Sequence, residues 1–228
     1  WRHREEMRRI GAGNADRRWN VEPQQPVLAY DVAHNRLVVT AAMLQPPVLD
    51  MNREPAANYG AFGALVGHEL THGFDATGRH VDASNTLRDW WTPADVAAWD
   101  MQLAPLAVQY GAYPWPGLPG TFVNGTLTRA ENAADVAGVE LAMDALLTAQ
   151  PALDDTGRQW FYQGWARLWP RQASADVAER MAASEPHAPG QWRANGPLAN
   201  QPGFGQAFSC KAGTPMQREP AMQVGIWR

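Results

Sequence analysis

The sequence has a single cysteine, Cys210, among 228 residues. One thiol excludes an intrachain disulfide and excludes any metal site built on several cysteines. Lysine is nearly absent: Lys211 is the only one among 19 basic residues, the rest being arginine, which reads as codon bias rather than chemistry. There is no basic tract, and the formal charge is −4, so nothing points to a nucleic-acid partner. No apolar run reaches the roughly 18 residues that would mark a membrane span. The chain starts at Trp1 without a signal-peptide pattern, and it reads as a fragment or processed product whose targeting segment lies upstream. No internal repeat and no interdomain linker are visible, so residues 1–228 read as one domain.

What is present is a large apolar fraction. Hydrophobic residues make up 45% and charged residues 18%, enough to bury a substantial core and too apolar for disorder. Eleven tryptophans suggest aromatic packing with satisfied indole N–H groups, or the lining of a cleft. Residues 1–10 read as an amphipathic helix. Val27–Val32 and Arg36–Thr40 read as a β-hairpin around an Ala-His-Asn turn. Tyr59, Phe62, Leu65 and Val66 recur at helical spacing over 59–75. Thr92, Pro93 and Asp95 make a capping-box start for a helix that should bend or end near Pro105. Further helices are expected over 127–150, 154–169 and 174–184, with loop-rich chain from 186 onward. The sum is a mainly α fold with a small β-sheet.

The chemistry concentrates in GALVGHELTHGFDATG, residues 63–78. On a helix, His68 and His72 share one face about 6 Å apart along the axis. Two imidazoles there can converge on one Zn²⁺. Glu69, one residue after the first histidine, falls where it can hold a water and take its proton. Gly63, Gly67 and Gly73 allow a neighbouring backbone to approach closely. Two ligands leave a catalytic zinc site one short. AENAAD, residues 130–135, offers Glu131 and Asp135, again four apart. One can ligate, while the other accepts a hydrogen bond from the free N–H of a ligand histidine. By themselves these two also fit a solvated acidic face near a helix N-terminus. Asp75, one turn beyond His72, offers similar support.

GHELTHGFD, followed by RDWW, VNGTLT and ENAAD, resembles the neprilysin and endothelin-converting-enzyme family of zinc metallopeptidases. AAMLQPP, NYG and the late HAPGQWRANGPLANQPGFGQAFSCKAG resemble it too, and the likeness runs in order along nearly the whole chain. The resemblance implies a thermolysin-like (gluzincin) catalytic domain. His68, His72 and Glu131 would bind one Zn²⁺, Glu69 would be the general base, and Asp135 would support the catalytic site from behind a ligand. His187 would steady the oxyanion, and Arg193 would grip the peptide beyond the scissile bond. Met43, Val48, Leu65, Val66 and Trp169 would line the pocket for the following side chain, giving cleavage of oligopeptides on the amino side of hydrophobic residues.

Several positions depart from the family pattern. Val27 or Leu28 stands where an asparagine usually holds the peptide, which should weaken that grip while main-chain pairing at the strand edge survives. Glu185 replaces an aspartate two residues before the late histidine. Val224 stands where relatives often carry a cysteine, so Cys210 is expected to be free unless it pairs with an upstream segment. Relatives also carry a large upstream helical region, so a separate or cleaved helical segment is a candidate partner beside the peptide substrate, and its loss should leave apolar surface exposed. The resemblance favours a periplasmic or secreted location. A zinc-stabilised peptide-binding module without turnover is the alternative reading, and an unrelated hydrolase with its third ligand elsewhere is another.

Overall fold

The computed structural model describes residues 21–227 together with Arg4, Met7, Arg8, Ile10 and Trp19. Apart from four of these residues, the helix expected over 1–10 lies outside the described residues. Strands β1 (Leu28–Asp31) and β2 (Arg36–Val39) pair antiparallel, Leu28 opposite Val39 and Asp31 opposite Arg36. A 3₁₀ turn at Val32–His34 joins them, and Asn35 closes it in the left-handed region at φ 46°, which asparagine tolerates better than most residues. The Val27 N–H and C=O both face Thr40, through its side chain and its main chain respectively. Because alternate residues of an antiparallel strand point their amides the same way, Leu28 and Tyr30 direct theirs away from β2.

The helix expected over 59–75 begins earlier and is less regular than its periodicity suggests. An α turn, α1 (Pro55–Asn58), passes into a π-helical stretch at Tyr59–Gly63, then α2 (Ala64–Thr71), then a 3₁₀ turn at His72–Phe74. Helix α3 (Pro93–Gly111) starts on the expected box: the Thr92 hydroxyl accepts from Asp95 N–H, and the Asp95 carboxylate accepts from Thr92 N–H at 2.8 Å. It does not end near Pro105. Pro105 and the preceding turn at Met101 face solvent, Met101 being 72% exposed, so the carbonyl freed by the proline can be hydrated and the helix continues.

Helix α4 (Arg129–Ala149) is the central element. Twelve of its residues are buried, on all sides, as expected of a helix enclosed by the core rather than laid on it. Ala133, Val136 and Ala137 face one apolar cluster with Leu103, Leu106, Tyr110 and Ile226. Val139, Ala142 and Leu146 face a second with Phe161, Tyr162, Trp165 and Phe204. Helices α5 (Asp155–Ala166) and α6 (Ala175–Ser184) lie where expected.

The region beyond 186 holds two helices that its glycines and prolines obscured: α7 (Gly190–Ala199) and α8 (Pro202–Ala207). Pro197 sits inside α7 and cannot bond the Arg193 carbonyl four residues back. The Trp165 indole N–H takes that carbonyl instead, at 2.9 Å. A tertiary hydrogen bond thus replaces the helical one, which local propensity could not foretell. The described residues therefore form a mainly helical fold with one two-stranded sheet.

Candidate metal centre

Helices α2 and α4 cross where both carry glycine. A Cβ on Gly67 would lie 2.9 Å from Gly138 Cα, and one on Gly138 would lie 2.3 Å from the Ala64 carbonyl oxygen and 2.6 Å from His68 N. Only bare backbone allows this approach, and it brings the first turn of α4 against the last turn of α2. Of the three glycines expected to act this way, Gly67 does. Gly73 instead makes room for the Tyr30 ring, and a Cβ on Gly63 would make an ordinary contact at 3.5 Å.

The crossing collects three side chains. His68 Nε2 lies 3.2 Å from His72 Nε2 and 3.2 Å from Glu131 Oε2, and His72 Nε2 lies 3.6 Å from the same oxygen. A tetrahedral ion with bonds near 2.0–2.1 Å requires ligand atoms about 3.3–3.4 Å apart, so the spacing suits a zinc-sized cation. Tautomers strengthen the point. His68 Nδ1 meets Asp135 Oδ1 at 2.7 Å and His72 Nδ1 meets Asp75 Oδ2 at 2.8 Å. A carboxylate facing each Nδ1 selects the Nδ1–H form and leaves an Nε2 lone pair. Two lone pairs and a carboxylate oxygen then face one point, an arrangement that calls for a cation or for protons. Glu131 Oε2 is buried and receives no hydrogen bond of good geometry. The donor set therefore fits a divalent metal, and one imidazole pair plus one carboxylate leaves a fourth position open.

The electrostatics agree. Burial disfavours the charged form of His72, but the Asp75 and Glu131 carboxylates facing it outweigh that and hold its pKa at about 10. Burial likewise opposes ionisation of Glu131, yet His187, His68 and His72 depress its pKa far below the usual carboxylate range. The pocket demands positive charge.

Asp135 is fully buried and serves two partners. It holds His68, and it takes the Arg193 guanidinium through two contacts, Nε at 2.8 Å and Nη2 at 2.6 Å. Burial raises its pKa, and the guanidinium and imidazole bring it below the ordinary value. Arg193 also lies 3.8 Å over the Trp169 ring, a cation–π contact. His187 stands beside the centre, its Nε2 3.0 Å from Glu131 Oε2. Its Nδ1 lies 2.8 Å from Glu185 Oε1, which also accepts the His187 backbone N–H at 3.3 Å. The longer side chain at 185 thus still reaches.

Glu69 Oε2 accepts the Tyr30 backbone N–H at 2.9 Å, so the free edge of β1 anchors this carboxylate. That contact had no side-chain signature in the sequence. Among the five expected pocket residues, Leu65 and Trp169 pack against the same apolar cluster. Of the five, Trp169 lines the cavity of about 300 Å³ that His187 and Arg193 border, and Met43, Val48 and Val66 are half-buried without lining it. Cys210 is a free, half-buried thiol and Val224 a buried core residue.

Helical crossing, paired histidines and an acidic partner helix define a thermolysin-like metallopeptidase architecture. Residues 29–224 match Peptidase family M13, and the chain belongs to that family. Endothelin-converting enzyme 1 of Bos taurus is 33% identical over 225 residues, covering 95% of this chain and 29% of that protein. Neprilysin-1 of Caenorhabditis elegans is 34% identical over 209 residues, covering 87% of this chain and 27% of that protein. The inhibitor complex of zinc metalloprotease Zmp1 from Mycobacterium tuberculosis superposes with a TM-score of 0.88 at 34% identity, over 100% of this chain and 36% of that one. The crystal structure of PepO from Lactobacillus rhamnosis gives 0.83 at 36% identity, over 92% and 32%. The chain therefore spans less than a third of the length of these curated relatives.

Proposed function

We propose that this chain carries the zinc endopeptidase centre of a family M13 protein, acting on oligopeptides before hydrophobic residues, with 1–228 as one catalytic domain. The observation that carries the reading is the convergence of His68 Nε2, His72 Nε2 and Glu131 Oε2 on one point. Zn²⁺ held by these three would supply a Lewis acid toward water and toward the scissile carbonyl. The chain's own groups do the rest. Glu69, steadied through Oε2 by the Tyr30 amide, uses its other oxygen to take a proton from the attacking water and pass it to the leaving amine. His187, its Nδ1–H committed to Glu185 and its pKa raised by Glu131 and Glu185, offers Nε2–H to the developing oxyanion as an imidazolium. Arg193, fixed by Asp135 and Trp169, borders the cavity beside His187 with the rest of its fork and orients the peptide beyond the scissile bond. Leu28, with its main chain directed outward, offers strand pairing to the substrate in place of an asparagine side chain.

The family supports a site outside the cytosol, with a peptide as the substrate and a separate or cleaved helical segment as a further partner. Among the described residues no helix is long and apolar enough to cross a membrane. A quenched fluorescent oligopeptide tests the activity. Cleavage should stop with chelator, return with Zn²⁺, and fall about 10²–10⁴-fold in Glu69→Gln, the span of a general base. Chelator-sensitive zinc binding without cleavage would favour a binding module instead.

A further inference from the structure

The segment Val224–Trp227 lies outside the sheet of the described residues, yet five of its eight backbone N–H and C=O groups are taken up by the side chains of Gln102 on α3, Glu140 on α4 and Asn200 just after α7. Val224 N–H donates to Asn200 Oδ1 at 2.9 Å. The Gly225 and Ile226 carbonyls accept from Gln102 Nε2 at 2.7 and 3.1 Å. The Ile226 and Trp227 N–H groups both donate to Glu140 Oε2, at 2.9 and 3.1 Å. Val224 and Ile226 point into the core and are 5% and 6% exposed. Glu140 itself is buried on α4, nine residues and about 13 Å along the helix from Glu131. Burying a carboxylate is costly unless charge-assisted hydrogen bonds offset it. Here two of them go to the tail.

The same tail reaches the other half of the metal centre. The Trp227 ring meets Phe74 edge-on at 5.5 Å, and Phe74 meets Trp90 edge-on at 6.0 Å. Phe74 lies in the short turn between His72 and its partner Asp75, and it is still 45% exposed with both rings beside it. Asp75 closes this turn by meeting His72 Nδ1 and accepting the Thr77 and Gly78 N–H groups, and the two edge-to-face pairs add a tie from the tail to its outer side.

We propose that Val224–Trp227 is a staple across the metal centre, tying α4, which carries Glu131, to the turn that carries His72, with Glu140 and Trp227 as positioning residues. The inference rests on the metal reading of His72 and Glu131. Neither positioning residue touches the metal or the substrate. They set how far the His72 turn wanders from Glu131, and hence how readily the ion escapes.

Zinc release to a chelating dye tests this, with zinc-loaded protein held well below the melting temperature of every variant. Trp227→Ala and Glu140→Ala should release zinc about 10–100-fold faster, as loss of a ligand's support does. Trp227→Phe and Glu140→Gln keep the ring edge and the acceptor oxygen, and should stay within about threefold of wild type. Cobalt substitution gives a second reading, with the visible absorption band of Trp227→Ala broadened or shifted. Leu146→Ala, at the far end of α4 in the other cluster, controls for loss of stability: it should lower the melting temperature without speeding release. Equal release from Trp227→Ala and wild type would overturn the staple alone. So would release from Leu146→Ala as fast as from Trp227→Ala. A wild-type chain that holds no zinc would overturn the metal reading and the staple with it.

Discussion

Replacing Gly138 by alanine is the smallest change that should dismantle the metal centre without touching a ligand. The added Cβ would sit 2.3 Å from the Ala64 oxygen, 2.6 Å from His68 N and 3.1 Å from His68 Cα. An ordinary carbon–oxygen contact needs about 3.3–3.5 Å, so α2 must retreat from α4 by roughly 1 Å, since packed interiors yield little. His68 would move with α2 while Glu131 stays on α4. Metal sites tolerate about ±0.2 Å in ligand distance, so the displacement is several times what coordination allows. Overpacking of this kind costs about 1–3 kcal/mol. For a chain of this size that corresponds to roughly 2–12 °C in melting temperature. Gly111→Ala supplies the control, because a Cβ added there, at the end of α3, would meet nothing within 4 Å, and removing a helical glycine there should be neutral or stabilising by up to about 1 kcal/mol. The assay is zinc content after dialysis, beside thermal unfolding. Gly138→Ala should hold little zinc and melt lower, while Gly111→Ala keeps both. A Gly138→Ala protein with full zinc and an unchanged melting temperature would refute the reasoning.

Asp135→Ala strands both the His68 N–H and the Arg193 guanidinium in a buried site. It should cost about 3–5 kcal/mol in thermal or denaturant unfolding and weaken zinc about 10–100-fold in chelator competition. The metal-free protein should show a pH dependence that zinc removes. With a folded pKa of about 10 against an unfolded value near 6.5, His72 contributes stability that is fully present below about pH 6.5 and lost as pH rises toward 10. The melting temperature of the metal-free chain should therefore fall from pH 7 to 10, and a flat profile would contradict this. Thr92→Ala removes the hydroxyl of the α3 capping box and should cost about 1 kcal/mol in urea unfolding, with zinc affinity unchanged.

Much of the site was legible because its chemistry follows helical spacing. His68 and His72 four apart, and Glu131 and Asp135 four apart, state two helix faces, and the structure brings those faces together. The capping box at Thr92 was equally local. What stayed hidden depended on distant partners. Helix α7 survives Pro197 only because Trp165, 28 residues away, takes the orphaned carbonyl. Helix α3 passes Pro105 because that face meets water, which is a property of the assembled fold. The Tyr30 amide that holds Glu69 is main chain, so no residue type announces it. Glu140 carries no signal of its role in the sequence, because its partners there are main-chain amides of a segment 86 residues further on. At position 185 the longer glutamate side chain still reaches the His187 backbone N–H and ring.

Zinc K-edge X-ray absorption on the purified, zinc-equilibrated protein tests the central claim most directly. One zinc per chain is predicted, with a shell of nitrogen and oxygen only near 2.0–2.1 Å and outer scattering from two imidazoles. Absence of stoichiometric zinc, or a sulfur neighbour near 2.3 Å drawn from Cys210, would contradict a centre built from His68, His72 and Glu131.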